Sequence, residues 1–148
     1  MANCVAWITR APIDAARLLA DVVSPADGAA LLFWGVVRNE NDGREVSELE
    51  YSAYAGMAVH EMRRIAAEAS ERFGTGAIHV VHRIGMLAVG EASVAIAVAS
   101  PHRGEAYDAS RYVIEELKRR VPVWKREGYV DGHTEWVPGF TPAAEAAR

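Results

Sequence analysis

The run Ala29-Ala30-Leu31-Leu32-Phe33-Trp34-Gly35-Val36-Val37 limits what this chain can become more than any other segment. It is almost wholly apolar, which suits a central strand covered on both faces rather than one alternating between core and solvent. The run ends at Arg38-Asn39. Asn41-Asp42-Gly43 then supplies turn chemistry before a second strand over Val46–Tyr54, so a long hairpin is expected with Arg38 close to its mouth.

The rest of the chain alternates helical and strand patterns. Ala2–Thr9 reads as a strand. Pro12 opens a helix over Ile13–Val23, where Ile13, Ala16, Ala20 and Val23 have helical spacing. A second helix spans Met57–Phe73, with Met62, Ile65, Ala66, Ala69 and Phe73 on one face, and Gly74-Thr75-Gly76 stops it. Ala77–Ile84 and Ser93–Ser100 are further strands. A third helix runs from about Gly104 to Val121 on a stripe of Ala106, Ala109, Val113, Leu117 and Val121. Trp124–Tyr129 and Thr134–Val137 close the chain as a hairpin around Asp131-Gly132. The pattern predicts an α+β fold with a mixed, largely antiparallel sheet and three main helices. Residues 1–137 form a single domain in this reading, and 138–148 a loose tail.

Composition narrows the function classes. A chain of 148 residues with 51% hydrophobic content can fill one core. The net charge of −4 argues against a general nucleic-acid binder, which needs a broad positive surface. No apolar run approaches the length of a membrane span, and the N-terminus lacks the form of a leader, so a cytoplasmic location is expected. Cys4 is alone, so no internal disulfide or paired-thiol motif exists, and it reads as small apolar filling. His79 and His82 are three apart on a strand and point to opposite faces, so no metal site is expected from them.

Against that acidic background, five cations crowd Leu117-Lys118-Arg119-Arg120-Val121-Pro122-Val123-Trp124-Lys125-Arg126-Glu127. Pro122 ends the helix, placing Lys118 in its last turn and Lys125 on the extended segment beyond. Cations there also complement the helix dipole, so a solvated cap is one reading. A second basic cluster, Ser100-Pro101-His102-Arg103-Gly104, sits where the same helix begins. A helix N-terminus beside two cations reads either as a phosphate or carboxylate site or as a solvated turn. The neighbours Arg119, Arg120, Lys125 and Arg126 should lower the pKa of Lys118 by like charge, suiting it to act as general acid, base or nucleophile. The residues alone support an anion-binding site built on basic side chains.

Several stretches together carry a family resemblance: Phe33-Trp34-Gly35-Val36-Val37-Arg38-Asn39, Leu49-Glu50-Tyr51 through Tyr54, and Gly56-Met57. His82-Arg83-Ile84-Gly85, Ser100-Pro101-His102-Arg103, Leu117-Lys118-Arg119 and Pro122-Val123-Trp124-Lys125-Arg126-Glu127 follow in order. From about Asn3 to Val137 the chain resembles the large, catalytic subunit family of molybdopterin synthase, the MoaE-like proteins. The resemblance implies an α/β-hammerhead fold. It also implies a homodimer within a heterotetramer, each catalytic subunit docking a small ubiquitin-like sulfur-carrier subunit. The implied reaction is sulfur transfer from the thiocarboxylate on the carrier's C-terminal Gly-Gly to cyclic pyranopterin monophosphate (precursor Z). Two sulfurs form the molybdopterin dithiolene in molybdenum cofactor biosynthesis, with no cofactor and no metal.

Carried over by position, Lys118 and Lys125 match the catalytic lysines, and Arg38, His102 and Arg103 match substrate-contacting basic residues. Arg126 and Glu127 continue the second lysine's motif and, with both lysines, count among the substrate-binding residues that the resemblance implies. Val36 and Val37 precede Arg38 in the substrate-binding stretch; Val36 stands where relatives can carry a basic residue, which favours a backbone role. The stretch after Trp136 lacks an arginine that some relatives contribute across the dimer. Arg38, His102, Arg103 and Lys125 are expected to converge on one pocket, with a groove for the carrier tail ending at Lys118 beside Pro122–Lys125. The competing class is a non-catalytic module that binds a phosphorylated metabolite or an acidic tail and has no particular need of Lys118.

Overall fold

The computed structural model describes residues 3–138. Of the expected tail over 138–148, Pro138 ends a strand, and the rest lies outside the described residues. The fold is α+β, with two sheets and three helices among the described residues. The first sheet contains β1 (Cys4–Thr9), β5 (Ile78–Arg83), β7 (Ala92–Ser100) and β2 (Ala29–Val36), in that spatial order. The β1–β5 pair is parallel; β5–β7 and β7–β2 are antiparallel. Helices α2 (Ala55–Phe73) and α3 (Arg103–Arg120) cover one face, and α1 (Ala15–Val22) the other.

The strands covered on both faces are therefore β5 and β7, with β2 at the sheet edge. Every residue of β7 is buried. Its Val94, Ile96 and Val98 enter the main core with Met62, Ile65, Val113 and Leu117. Its alanines, Ala95, Ala97 and Ala99, face Leu18 and Val22 of α1. Small side chains on that face let a short helix approach closely, while the β-branched face fills the deeper space under two longer helices. The apolar run at 29–36 is covered less completely, leaving Trp34 at 37% and Val36 at 47% exposure.

The expected long hairpin also resolves differently. β2 does not pair with β4 (Arg44–Ala53); they belong to different sheets, and Arg38 lies in the passage between them. The turn chemistry instead closes a small hairpin between β3 (Glu40–Asn41) and β4. Asp42 and Gly43 both have positive φ, 52° and 76°, as a two-residue hairpin turn of the inverse type requires. β4 continues the second sheet through β8 (Val123–Tyr129) to β9 (Thr134–Pro138), with β6 (Gly85–Ala88) on its other edge. The pairing of β8 with β9 agrees with the hairpin expected at the end of the chain.

Helix ends follow local chemistry. The Asp14 side chain accepts from the Arg17 backbone N–H at 3.1 Å, capping α1, which starts at Ala15, three residues after Pro12. Gly74, in the left-handed region at φ 66°, stops α2. α3 ends at Arg120, and Pro122 starts an extended segment, as the proline rule requires. Cys4 packs against the main core, its Sγ 3.6 Å from the Ala66 carbonyl, and burial raises its pKa.

Candidate active site

Where the end of β2, the last turn of α3 and the β4–β8 pair meet, they enclose a cavity of about 170 Å³. Its charged lining comprises Arg38, Glu40, Lys118, Lys125 and Glu127. Lys118 comes from α3 and Lys125 from β8, so Pro122 separates two lysines that return to the same hollow. β8 is held in register by pairing Lys125 with Tyr51 and Glu127 with Leu49 on β4. Both β4 residues line the cavity.

The wall from β2 depends on Gly35. A Cβ there would lie 2.6 Å from Val94 Cγ1 and 3.3 Å from Phe33 Cε1, closer than packing allows. Between Gly35 and Val36 the register against β7 shifts, a bulge that turns the strand's end toward the second sheet. Val36 is then 47% exposed at the rim, whereas Val37 is buried at 3%. Both line the cavity with Arg38, so the stretch Val36–Arg38 contributes as a unit.

The electrostatics differ from the simple crowding of cations expected from the sequence. Arg119 pairs with Glu116 at 2.9 Å. Arg120 is bound by Glu61, Glu68 and Glu116 at 2.8, 2.7 and 3.3 Å. Arg126 meets Glu50 at 2.6 Å. Three of the four supposed neighbours of Lys118 are thus neutralised, and the Arg120 carboxylates tie α3 to α2 instead of acting on the cavity. Lys118 still has a lowered pKa, first because burial penalises its charge and second because of Lys125. It keeps contact with solvent, but the cavity walls crowd its ammonium enough for burial to dominate.

Lys118 and Arg38 take part in no ion pair among the described residues, whereas Lys125 lies 3.6 Å from Glu127 Oε1. The two lysines therefore differ: one charge is balanced and the other is destabilised. Beside Lys118 a smaller hollow of about 20 Å³ is lined also by His82, Leu117, Val121 and Val123. His82 stacks edge-on against Tyr51 at 5.2 Å and shares a 2.9 Å hydrogen bond with the Arg83 carbonyl through Nδ1. Burial lowers its pKa to about 4, so the imidazole is neutral near pH 7 and Nδ1–H donates.

Not every expected site residue reaches this cavity. Arg126 is adjacent in sequence but turned toward Glu50 and the Trp136 ring, 5.6 Å from its centroid. His102 is the N-cap of α3 and Arg103 its first residue, both exposed. Arg103 and Lys118 lie about 22 Å apart along the helix axis at its ordinary rise. Within one chain His102 and Arg103 do not join Arg38 and Lys125. Conversely, Asn41, by sequence a turn residue, donates its side-chain amide to Glu127 Oε1 at 2.5 Å inside the cavity. Its place on a hairpin between two basic stretches gave no signal of that contact.

Comparison with known proteins places the same residues in a family context. The model of the MoaE protein family matches residues 8–120. The molybdopterin synthase catalytic subunit of Emericella nidulans is 45% identical over 118 residues, 80% of this chain and 60% of that relative. The chain thus spans less than two thirds of that relative's length. The Bacillus subtilis protein of the same name is 42% identical over 130 residues, covering 88% of this chain and 82% of its own. The crystal structure of molybdopterin synthase from Staphylococcus aureus superimposes with a TM-score of 0.83 at 39% identity, covering 88% of this chain and 95% of the other.

Proposed function

Because this chain belongs to the MoaE protein family, we propose that it is the catalytic subunit of a molybdopterin synthase, a sulfurtransferase. In this reading it moves sulfur from the C-terminal thiocarboxylate of a small carrier protein onto cyclic pyranopterin monophosphate, building the molybdopterin dithiolene in the cytoplasm. The observation that carries the reading is the convergence of Lys118, Lys125 and Arg38 on one cavity from three separate elements. A pterin phosphate and a thiocarboxylate are both anions, and fixed cations offset their repulsion where they meet. Lys118, with its lowered pKa, is the group that exchanges a proton or attacks as the neutral amine. Lys125 is the fixed charge. Sulfur has to arrive on a carrier because the single cysteine is packed into the core by β1, away from the cavity lining.

Val36, Val37 and Arg38 form the substrate-facing rim, and Glu127 the floor. His102 and Arg103 act from a second copy of the chain. β2 supports this: it is apolar, lacks charge and proline, and among the described residues pairs only with β7, which leaves its other edge as a template. A two-fold axis through that edge would set Ala29 of one copy opposite Val36 of the other. Ser100 is the neighbour of Ala29, and His102 follows it by two residues. One copy's basic cluster then falls about two strand spacings, roughly 10 Å, from the other's Val36–Arg38 rim. Arg126 belongs to this reading as support for β8 rather than as a substrate contact.

The test is reconstitution. The protein, a thiocarboxylated carrier and precursor Z should together yield molybdopterin, and omission of any one should abolish it. Molybdopterin formed at an equal rate from free sulfide without a carrier would overturn the reading.

A further inference from the structure

Lys118 lines two hollows, the main cavity and the smaller one of about 20 Å³, so its side chain stands between them. Valine, isoleucine and leucine side chains wall the smaller hollow, and its two polar lining residues are Lys118 and His82. A space of that size holds one water, provided at least two polar partners meet it. His82 supplies one partner. Its Nδ1–H is committed to the Arg83 carbonyl at 2.9 Å, which makes Nε2 the acceptor of the ring. Nε2 bonds to no protein group among the described residues, yet unlike Nε2 of His79 it is not sealed in, so it opens on the hollow.

The ring is held in this orientation from several sides. Tyr51 meets it edge-on at 5.2 Å, and β5 fixes its position by pairing His82 with Ile8 on one side and Val94 on the other. Arg83, whose carbonyl holds Nδ1, is itself tied to Glu91 at 2.8 Å. Burial keeps the imidazole neutral, with a pKa of about 4, so Nε2 stays an acceptor at every pH where a lysine amine can act.

We infer that His82 is a positioning residue for Lys118, joined to it by one water held in the small hollow. The water donates to His82 Nε2 and accepts an N–H of Lys118. With one hydrogen drawn into the hollow, the lone pair of the neutral amine is turned toward the main cavity, where a reacting group can meet it. The inference rests on Lys118 acting as proposed above and goes further by naming the group that orients it. The other charged or titratable groups facing Lys118 are Lys125 and Glu127 from β8, Arg38 and Glu40 from the passage after β2, and Tyr51 from β4. None of these lines the small hollow, so a change at His82 is separable from them.

The experiment has two arms. A crystal structure of the wild-type protein at near-atomic resolution should show one water within hydrogen-bond reach of both His82 Nε2 and Lys118 Nζ. A hollow without that water, or a ring that presents Nδ1 to it, overturns the inference. The second arm follows sulfur transfer against pH in His82→Phe, which fills the ring's place without an acceptor, and in His82→Gln, which keeps one near the Nε2 position. Loss of the acceptor withdraws support from the ammonium form as well as from the oriented amine. His82→Phe should therefore lower the limiting rate about three- to tenfold, the scale of one hydrogen bond, and move the acid limb to lower pH. His82→Gln should recover most of both. An acid limb that stays in place in His82→Phe overturns the inference, since a merely structural role moves only the rate. Should His82→Phe fail to fold, the crystal structure decides alone. A wild-type protein that makes no molybdopterin from a thiocarboxylated carrier and precursor Z overturns the sulfur-transfer reading instead, and leaves the water bridge to the crystal structure.

Discussion

Lys118 and Lys125 stand on either side of Pro122, one in the last turn of α3 and one on β8, yet line one cavity. The charge of Lys125 is the second cause, after burial, of the lowered pKa of Lys118. This pairing assigns different work to the two residues.

For Lys118, the expectation is that Lys118→Ala lowers turnover by about a hundredfold or more, the scale of a lost acid–base group. The fold should hold, with a stability change within about 0.5 kcal/mol, since the side chain lies at the cavity, not in the apolar core, and takes part in no ion pair among the described residues. Lys118→Arg should fail as well, because a guanidinium stays protonated. Turnover near the wild-type rate in Lys118→Arg would leave this residue only an electrostatic role.

Lys125 should control the pH at which Lys118 becomes active. If the neutral amine acts, the rate rises with pH through the Lys118 pKa. Lys125→Met removes a neighbouring positive charge, so the Lys118 pKa rises and the acid limb of the profile moves to higher pH. The move is partial, because burial remains as the larger cause. A midpoint that stayed put or moved to lower pH would contradict the coupling, independently of any loss in maximal rate.

His82 should make stability depend on pH. Unfolded, its imidazole titrates near the usual 6.5; folded, burial holds it to about 4. Between those values the unfolded state binds more protons, so the stability from this group is complete above about pH 6.5 and falls as pH drops toward 4. The loss is about 1.4 kcal/mol per pH unit at most. Urea unfolding at pH 7 and pH 5 should show that fall in the wild-type protein and a smaller one in His82→Gln. An equal fall in both would locate the effect elsewhere.

Sites shared across a two-fold predict complementation. Lys118→Ala and Arg103→Ala chains should each be weakly active alone. Co-expressed, half the dimers are hybrids, each with one site carrying both lesions and one intact, so about a quarter of wild-type activity should return. No recovery would mean that Arg103 serves its own chain or no site at all.

Much of this fold is legible in local chemistry. Pro122 separates helix from strand, Asp42-Gly43 makes the turn its composition favours, and the valine–alanine alternation of β7 marks its two faces. What misled was the run at 29–37. Burial on both faces and a place at an edge awaiting a partner strand call for the same apolar side chains, and periodicity cannot separate them. The site divides similarly. Lys118, Lys125 and Arg38 come together through strand order and the Gly35–Val36 bulge. The ion pairs that silence Arg119, Arg120 and Arg126, and the Asn41–Glu127 bond across 86 residues, depend on tertiary neighbours that no local pattern encodes.

The central claim is that carrier-bound sulfur reaches the pterin at the Lys118–Lys125 cavity. A single-turnover experiment with a carrier thiocarboxylate labelled with radioactive sulfur tests it most directly, with unlabelled sulfide in excess. The wild-type protein should place the label in the dithiolene, while Lys118→Ala leaves it on the carrier. Unlabelled molybdopterin formed at the same rate would contradict the account.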